Sequence, residues 1–180
     1  MPKVGGVIWI CGLSGAGKST VSRRLQEALS RQIEGTVLLD GDMMRSLFIG
    51  LNQKNDQFSR EARIFYGKKY SELSFLLATQ GCLVIVATIS LFEEILIWNR
   101  ENLPNYFEVF LKVPIDELKR RDPKGLYTRF YRGETKNVAG LDIEIDEPLM
   151  ADLTLKYDPQ MTADDQARFI LQNYLSRKKT

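Results

Sequence analysis

The sequence predicts an α/β fold in which a five-stranded parallel sheet is covered by helices on both faces. Two observations support this prediction: strand-like runs alternate with helix-like runs along the 180 residues, and the inner strand-like runs are apolar throughout. Parallel strands that are buried on both faces show this continuous apolar character. With 44% hydrophobic and 27% charged residues, the chain has an ordinary globular composition. We therefore expect one domain over residues 1–180.

Five short runs are predicted as strands. Most are rich in β-branched, aromatic or other large apolar residues. The second run leads directly into Asp40, and the third ends in Ala87-Thr88. The five runs are residues 7–11, 36–39, 83–87, 106–113 and, last, about 153–156.

Helices are predicted from apolar spacing and from capping residues. Ser59 suits the N-cap of a long helix over about residues 60–80, which ends at Gly81. Thr162 with Asp165 three residues later resembles a capping box that opens the last helix. Four more helices are expected. One begins at about Ser19, one begins at about Met43, one ends at about Asn102, and a short one lies just before Asp122.

Composition limits the chemistry that this chain can perform. Its 25 Lys and Arg against 23 Asp and Glu give a net charge of +2, without the basic excess typical of nucleic-acid binders. It contains no histidine, which excludes histidine bases and histidine metal ligands. Cys11 and Cys82 each lie in or beside an apolar run, so we expect buried, reduced thiols. Carboxylates, Lys, Arg, hydroxyls, backbone amides or a hard cation must therefore do the chemistry.

No stretch approaches the ~20 apolar residues that span a bilayer. The short apolar run near the N-terminus has no small-residue cleavage site after it. We therefore expect a cytoplasmic protein without a membrane segment.

A phosphate-binding loop is the most specific motif in the sequence. The run at residues 12–19, Gly-Leu-Ser-Gly-Ala-Gly-Lys-Ser, matches the Walker A pattern and lies between a predicted strand and a predicted helix. Its glycines permit a tight loop, and the following helix N-terminus carries partial positive charge. Lys18 is expected to reach the outer phosphates, and Ser19 to ligate Mg²⁺. The predicted phosphate-binding residues are Gly12, Ser14, Gly15, Ala16, Gly17, Lys18, Ser19 and Thr20.

Two acidic residues, Asp40 and Asp42, follow the second predicted strand. Ligands bind at the carboxyl edge of open α/β sheets, so this pair suits one metal-shell role and one general-base role. A general base for an attacking hydroxyl favours a kinase of a small acceptor. Either aspartate could instead cap the helix that follows, and capping and catalysis do not exclude each other.

Residues 122–148 show little periodicity, which is typical of a functional loop. We predict a mobile lid here that closes over the substrates and excludes water. Basic residues that would neutralise a transferring phosphate open it: Arg120, Arg121, Lys124 and Arg129.

Further motifs in the right order resemble the adenylyl-sulfate (APS) kinase family over about residues 5–157. They are Asp40-Gly41-Asp42-x-x-Arg45, Phe58-Ser59-x-x-x-Arg63, Ile89-Ser90, Arg121-Asp122-Pro123-Lys124-Gly125-Leu126-Tyr127, and Gly133-Glu134-x-Lys136-Asn137-x-x-Gly140-Leu141-Asp142. The resemblance implies the strand order 2-3-1-4-5 and a P-loop kinase domain. It also implies transfer of the ATP γ-phosphate to the ribose 3′-hydroxyl of a small nucleotide, with Mg²⁺, and suggests a homodimer.

The resemblance also implies roles for individual residues. By position, Asp42 would be the base that faces the 3′-hydroxyl. This leaves Asp40 for the metal-shell role beside Ser19, and Lys18 is counted as catalytic through its contact with the outer phosphates. The serine matching Ser90 is sometimes assigned a phosphoserine role in this family, although direct in-line transfer needs no such intermediate. Other acceptor contacts would come from Arg45 and Arg63 (phosphate and anionic tail), Phe58 (base stacking), Ile89 and Ser90 (backbone), and Lys124 and Leu126 (lid).

Several acceptor-side positions depart from the family pattern. Tyr66 replaces an asparagine that helps to hold the acceptor, and Val138 replaces the second aromatic wall around the base. Loss of one wall removes about half of a stack worth ~1–3 kcal/mol per base, which suits a smaller pyrimidine. Glu93 and Glu94 stand where the family has arginines, which makes tight binding of a sulfate tail less natural.

These departures resemble a branch of the family that phosphorylates cytidine diphosphoramidate on its ribose during capsule phosphoramidate assembly. Two alternatives remain open at this stage. One is an authentic APS kinase with compensating neighbours. The other is a nucleotide-dependent switch that hydrolyses ATP or GTP slowly.

Overall fold

Five parallel strands form the sheet that the sequence predicts. The structure, a computed structural model, describes residues 5–48 and 57–177. The strand order is β2-β3-β1-β4-β5, which confirms the predicted class and the order that the family resemblance implied. The strands are β1 (Gly6–Cys11), β2 (Thr36–Asp40), β3 (Leu83–Thr88), β4 (Phe107–Lys112) and β5 (Leu153–Lys156).

The strand register brings the candidate site residues to one edge of the sheet. Cys11, the last residue of β1, pairs with Thr88 of β3, and Asp40 of β2 pairs with Ala87. The residues that follow these three strand ends are the phosphate loop, Asp42 and Ile89. Parallel strands place their carboxyl ends together, so segments far apart in sequence meet there.

The observed helices agree with the sequence predictions except in the lid. Ser59 caps the long helix, because its hydroxyl accepts a hydrogen bond from the Ala62 amide at 3.2 Å. The capping box is also present, with Thr162 Oγ1 accepting from the Asp165 amide at 3.2 Å. The helices are α1 (Lys18–Ser30), α2 (Gly41–Phe48), α3 (Arg60–Thr79), α4 (Glu93–Asn102), α5 (Ile115–Arg121), α6 (Leu126–Tyr131) and α7 (Ala163–Arg177).

Helix α6 lies inside the stretch predicted as irregular. The Asp122 carboxylate accepts hydrogen bonds from the amides of Tyr127 and Thr128, at 3.0 and 2.9 Å, and so satisfies its N-terminus. The position directly before the helix is Gly125, whose left-handed backbone has φ 62°. A capping residue so far upstream does not follow the usual spacing, and the helix is too short to show periodicity.

Two apolar layers hold the helices on the sheet. Helices α3 and α4 pack on the face that contains Trp9, while α1 and α7 pack on the face that contains Ile8 and Ile10. Full burial of one such side chain contributes ~1.5–3 kcal/mol. The sheet is therefore covered on both faces, as the apolar strands predict.

The two cysteines were expected to be buried and reduced. Both cysteines are free thiols, but Cys11 is buried and Cys82, just before β3, is only half-buried. Burial raises the pKa of the Cys11 thiol well above its usual range.

Across residues 5–48 and 57–177, none of the helices has the length and apolar character to cross a membrane.

Candidate active site

The phosphate loop connects β1 to α1 and has the backbone that its glycines allow. Gly15 and Gly17 adopt left-handed conformations with φ 80° and 97°, and Gly17 directly precedes α1. A side chain at either position would strain the loop. The predicted loop therefore ends at a helix N-terminus, where amides suit an anion.

Lys18 lies over this loop. Its Nζ donates a 2.8 Å hydrogen bond to the carbonyl of Leu13. Burial lowers the pKa of Lys18 to about 8, against a smaller opposing effect of Asp42 and other anionic groups. The ammonium is thus held at the loop and is poorly solvated, so a phosphate group would gain a strong electrostatic partner.

A cleft of about 390 Å³ opens above the loop. It unites the carboxyl ends of β1, β2 and β3 with the first residues of the lid. Asp42, Arg45 and Lys124, which the sequence analysis placed at the acceptor, all line it. The lining residues are Ser14, Gly15, Gly17, Lys18, Ser19, Thr20, Asp40, Gly41, Asp42, Arg45, Ala87, Thr88, Ile89, Arg121, Pro123 and Lys124.

Asp40 is buried at the floor of the cleft. Its Oδ1 accepts a 3.0 Å hydrogen bond from the Asp42 amide, so Asp40 caps α2 as one alternative predicted. Its Oδ2 is also buried and has no hydrogen-bond partner among the described residues. A buried carboxylate oxygen without a donor suits a cation. Asp40 and the Ser19 hydroxyl are oxygen donors of the kind that Mg²⁺ takes, and both line this cleft.

Asp42 is exposed to the cleft and pairs with Lys124 of the lid. Partial burial opposes ionisation of Asp42, but the ammonium of Lys124, then Arg45 and Lys18, outweigh it and lower the pKa of the carboxyl. Asp42 is therefore ionised at neutral pH, as a proton acceptor must be.

Thr88 and Ser90 share a hydrogen bond at the end of β3. Their hydroxyl oxygens are 3.0 Å apart and both residues are buried. Thr88 lines the cleft, whereas Ser90 does not. The sequence analysis noted Thr88 only at the end of the third strand-like run, because sequence spacing alone does not reveal its contact with Ser90.

Arg45 lies between two aromatic rings at the rim of the cleft. Its guanidinium carbon is 4.8 Å from the ring centroid of Phe58 and 5.6 Å from that of Tyr66. Its Nη1 donates to the Gln57 carbonyl at 3.0 Å. Phe58 is 50% exposed and Tyr66 only 1%, so Tyr66 supports the cation from below.

Six predicted acceptor residues lie outside the cleft lining: Phe58 and Tyr66, which stack on Arg45, and four more. Val138 is buried in the apolar layer on the α1 side, and Leu126 packs against that layer. Arg63 is 8% exposed and bonds to backbone carbonyls. Ser90 is the fourth. Motif spacing predicts which segments approach the site but does not tell which way each side chain points.

The acidic pair at the start of α4 does not reach the cleft either. Glu94 pairs with Lys68 at 2.7 Å, and neither Glu93 nor Glu94 lines the cleft. The expectation that this pair repels an anionic acceptor tail therefore finds no support in the structure. Helix α4 begins at Glu93 and carries its acidic first turn away from the cleft.

The lid rests on the phosphate loop. The Tyr127 hydroxyl donates to the Ser14 carbonyl at 2.9 Å, and Arg121 Nη1 to the Gly15 carbonyl at 3.4 Å. The other predicted lid cations lie elsewhere: Arg120 pairs with Glu117, and Arg129 Nε donates to the Gly125 carbonyl. Arg121 and Lys124 are thus the two of the four that face the cleft.

Comparisons with known proteins agree with this architecture. Residues 4–156 match the family model described as adenylylsulphate kinase. The chain is 36% identical over 166 residues to the cytidine diphosphoramidate kinase of Campylobacter jejuni, covering 92% of this chain and 94% of that protein. It is 40% identical over 160 residues to the adenylyl-sulfate kinase of Pseudomonas aeruginosa, covering 86% and 80%.

A solved structure of an APS kinase has the same fold as this chain. The Mycobacterium tuberculosis APS kinase, in complex with AMPPNP and APS, superposes with a TM-score of 0.85 at 32% identity, covering 96% of this chain and 98% of that one. The family model, over residues 4–156, spans the phosphate loop, the Asp40–Asp42 turn and residues 122–148. The chain therefore belongs to the adenylylsulphate kinase family of ATP-dependent kinases.

Proposed function

We propose that this protein transfers the γ-phosphate of ATP to the ribose 3′-hydroxyl of a nucleotide acceptor. The observation that carries the proposal is the shared cleft, in which the ionised Asp42 lies with the phosphate loop and two lid cations. Phosphoryl transfer needs positioning and charge neutralisation more than covalent chemistry. A chain without histidine can supply both.

In the proposed reaction the loop amides and Lys18 hold the ATP phosphates. Asp42 accepts the proton of the 3′-hydroxyl while that oxygen forms a bond to the γ-phosphorus, and the bond to the β-phosphate oxygen breaks to release ADP. Ser19 and Asp40 would hold Mg²⁺, which, when bound, neutralises phosphate charge. Arg121 and Lys124 would neutralise the remaining charge after the lid closes.

The Lys124–Asp42 pair lowers the pKa of the Asp42 carboxyl, so opening of the pair would make Asp42 a stronger proton acceptor. Both side chains are more than 60% exposed, and such ion pairs contribute only ~0–1 kcal/mol. An entering acceptor hydroxyl can therefore displace Lys124 easily. The freed ammonium would then turn towards the phosphates.

For the acceptor, we propose cytidine diphosphoramidate, which would make the protein an enzyme of capsule phosphoramidate assembly. The likeness to the Campylobacter jejuni enzyme over 92% of the chain supports this choice. Tyr66 and Phe58 stack on Arg45 at the rim of the cleft, and Tyr66 stands where the family pattern has an asparagine that helps to hold the acceptor, so this side of the cleft differs from that pattern.

APS is the second candidate acceptor, because the Pseudomonas aeruginosa adenylyl-sulfate kinase is 40% identical to this chain. On that alternative the product belongs to sulfate assimilation. A homodimer, which the family resemblance suggested, stays a prediction under either acceptor.

A comparison of the kinetics with each acceptor distinguishes the two. kcat/KM is measured for cytidine diphosphoramidate and for APS, each with ATP and Mg²⁺ at the same ionic strength. We expect the higher value for the cytidine compound. A value for APS that is equal or higher would reject the proposed acceptor, while activity on either one retains the proposed reaction. Asp42→Asn serves as the control and should lose activity with both.

A further inference from the structure

Helix α2 carries two of the charged groups that line the cleft, yet little of the helix is buried. Asp42 and Arg45 both lie on it and both line the cleft. Gly41 and Met44 are its buried residues, whereas Leu47 is 73% exposed. Because packing supplies most of the stability of a short helix, α2 needs further contacts to hold one orientation on the sheet.

Tyr70 of α3 provides such a contact. Its side chain is buried, and its hydroxyl donates a 3.2 Å hydrogen bond to the Gly41 carbonyl at the beginning of α2. The centroid of its ring lies 6.2 Å from that of Phe48, the last residue of α2. One buried side chain therefore contacts both ends of the helix.

The Tyr70 hydroxyl stays protonated at neutral pH. Burial raises the pKa of Tyr70 to about 12, and the negative charges of Asp42 and Asp40 act in the same direction, against the smaller effect of Arg45. A neutral phenol has a single proton to donate. Here that proton is directed at the Gly41 carbonyl.

The peptide unit between Gly41 and Asp42 is thereby held at both of its polar atoms. Its oxygen accepts from Tyr70, and its N–H donates to Asp40 Oδ1 at 3.0 Å. Because a peptide unit is planar, bonds to both atoms restrict rotation of the whole plane, which leads directly into Asp42. Gly41 also lies close against β3, since a Cβ there would be 3.0 Å from the Ala87 carbonyl oxygen.

We propose that Tyr70 is a positioning residue, which orients Asp42 by holding the carbonyl of the peptide unit that precedes it. The kinetic consequence rests on the proposed function, because it needs a reaction in which Asp42 takes part. The structural consequence is independent of it. Without the hydroxyl, the Gly41 carbonyl loses its bond to α3, so α2 should become more mobile while the phosphate loop stays unchanged.

Tyr70→Phe tests the structural consequence, because it keeps the buried ring and removes only the hydroxyl. In the substrate-free protein we expect the amides of α2 to exchange with solvent about two- to tenfold faster, the range that one lost hydrogen bond gives. Ser71→Ala is the matched control. Ser71 is buried on the same helix, and its hydroxyl donates to the Gly67 carbonyl within α3. This variant should leave exchange in α2 at the wild-type rate.

Kinetics provide the second readout. With both substrates saturating, we expect the kcat of Tyr70→Phe to fall about two- to tenfold, and the KM for ATP to stay within about twofold of wild type. A residue that only stabilised the fold would leave the kcat of the folded protein unchanged. Ser71→Ala should retain the wild-type kcat.

Exchange at the wild-type rate in α2 of Tyr70→Phe would overturn the proposal. Faster exchange in every helix would also overturn it, because the variant would then be destabilised as a whole. An unchanged kcat, in a variant whose α2 exchanges faster, would reject the role in orienting Asp42. If the wild-type protein phosphorylates neither acceptor, the proposed function fails, whereas faster exchange confined to α2 would still support the contact between Tyr70 and Gly41.

Discussion

At the scale of single residues, the account depends most on Asp42. Its carboxylate is ionised and lines the cleft beside the phosphate loop. Asp42→Asn keeps the shape but cannot accept a proton, so we expect kcat to fall ~10²–10⁴-fold. ATP affinity should stay within about threefold, because the loop that binds phosphates is unchanged.

The control for this variant is Asp116→Asn, which removes a carboxylate that is 91% exposed on α5. It should turn over normally. Near-normal turnover of Asp42→Asn, measured with saturating acceptor, would remove Asp42 from the base role.

Lys18 predicts a pH dependence of nucleotide binding. Burial lowers its pKa to about 8, so the ammonium is present below pH 8 and is lost as the pH rises above it. Bound phosphates favour the charged form, so binding above pH 8 must take up a proton. Affinity for ATP should therefore fall by up to about tenfold per pH unit above 8. Titration calorimetry between pH 7 and 9.5, in buffers with different ionisation enthalpies, measures both effects. Constant affinity without proton uptake would contradict this account.

The sequence predicted some site residues better than others, for a physical reason. Lys18, Ser19 and Asp42 line one cleft, because short motifs fix the backbone around them. Val138 and Glu94 were expected near the acceptor, yet they lie in the core and at a surface ion pair. Motif spacing determines which segment reaches the site, but side-chain direction depends on packing between segments.

At the scale of elements, α6 connects the lid to the phosphate loop. The Tyr127 hydroxyl donates to the Ser14 carbonyl, and Tyr127→Phe removes only that bond. A single hydrogen bond contributes ~0.5–1.5 kcal/mol, so we expect kcat/KM to fall about two- to tenfold through a less stable closed lid. Tyr131→Phe on the same helix is the control, since Tyr131 is 61% exposed and contacts Lys119 instead. Equal kcat/KM for both variants would show that the bond to Ser14 does not matter.

Elements with periodic or capped sequences were predictable, and those fixed by distant contacts were not. The prediction of α3 succeeded because Ser59 supplies a local cap that the structure confirms. Helix α6 was missed because the residue that caps it, Asp122, directly follows α5 and accepts hydrogen bonds from amides five and six residues further along the chain. The order of the five strands came from the family resemblance, because apolar runs alone do not specify which strands are neighbours.

At the scale of the whole molecule, the two apolar layers stabilise the edge that carries the site. Leu25 of α1 is fully buried, and Leu25→Ala should lower the free energy of unfolding by ~2–5 kcal/mol. Leu149→Ala, at a position that is 94% exposed, should change it by less than ~0.5 kcal/mol. Urea unfolding of both variants measures the difference. Equal stabilities would contradict the assignment of the α1 layer to the core.

The absence of histidine and the small net charge are both consistent with the proposed reaction. The absence of histidine excludes many reactions but leaves phosphoryl transfer, which relies on loop amides, basic side chains and one carboxylate. The net charge of +2 conceals a local concentration of charge, since Lys18, Arg45 and Lys124 surround Asp42 in one cleft.

The fate of the γ-phosphate tests the central claim most directly. The protein is incubated with ATP labelled at the γ-phosphate, Mg²⁺ and either cytidine diphosphoramidate or APS, and the labelled products are separated. The account predicts that the label appears on the ribose 3′-oxygen of an acceptor, with ADP formed in equal amount. Label found only as free inorganic phosphate, whichever acceptor is supplied, would contradict it and would favour a nucleotide-hydrolysing switch.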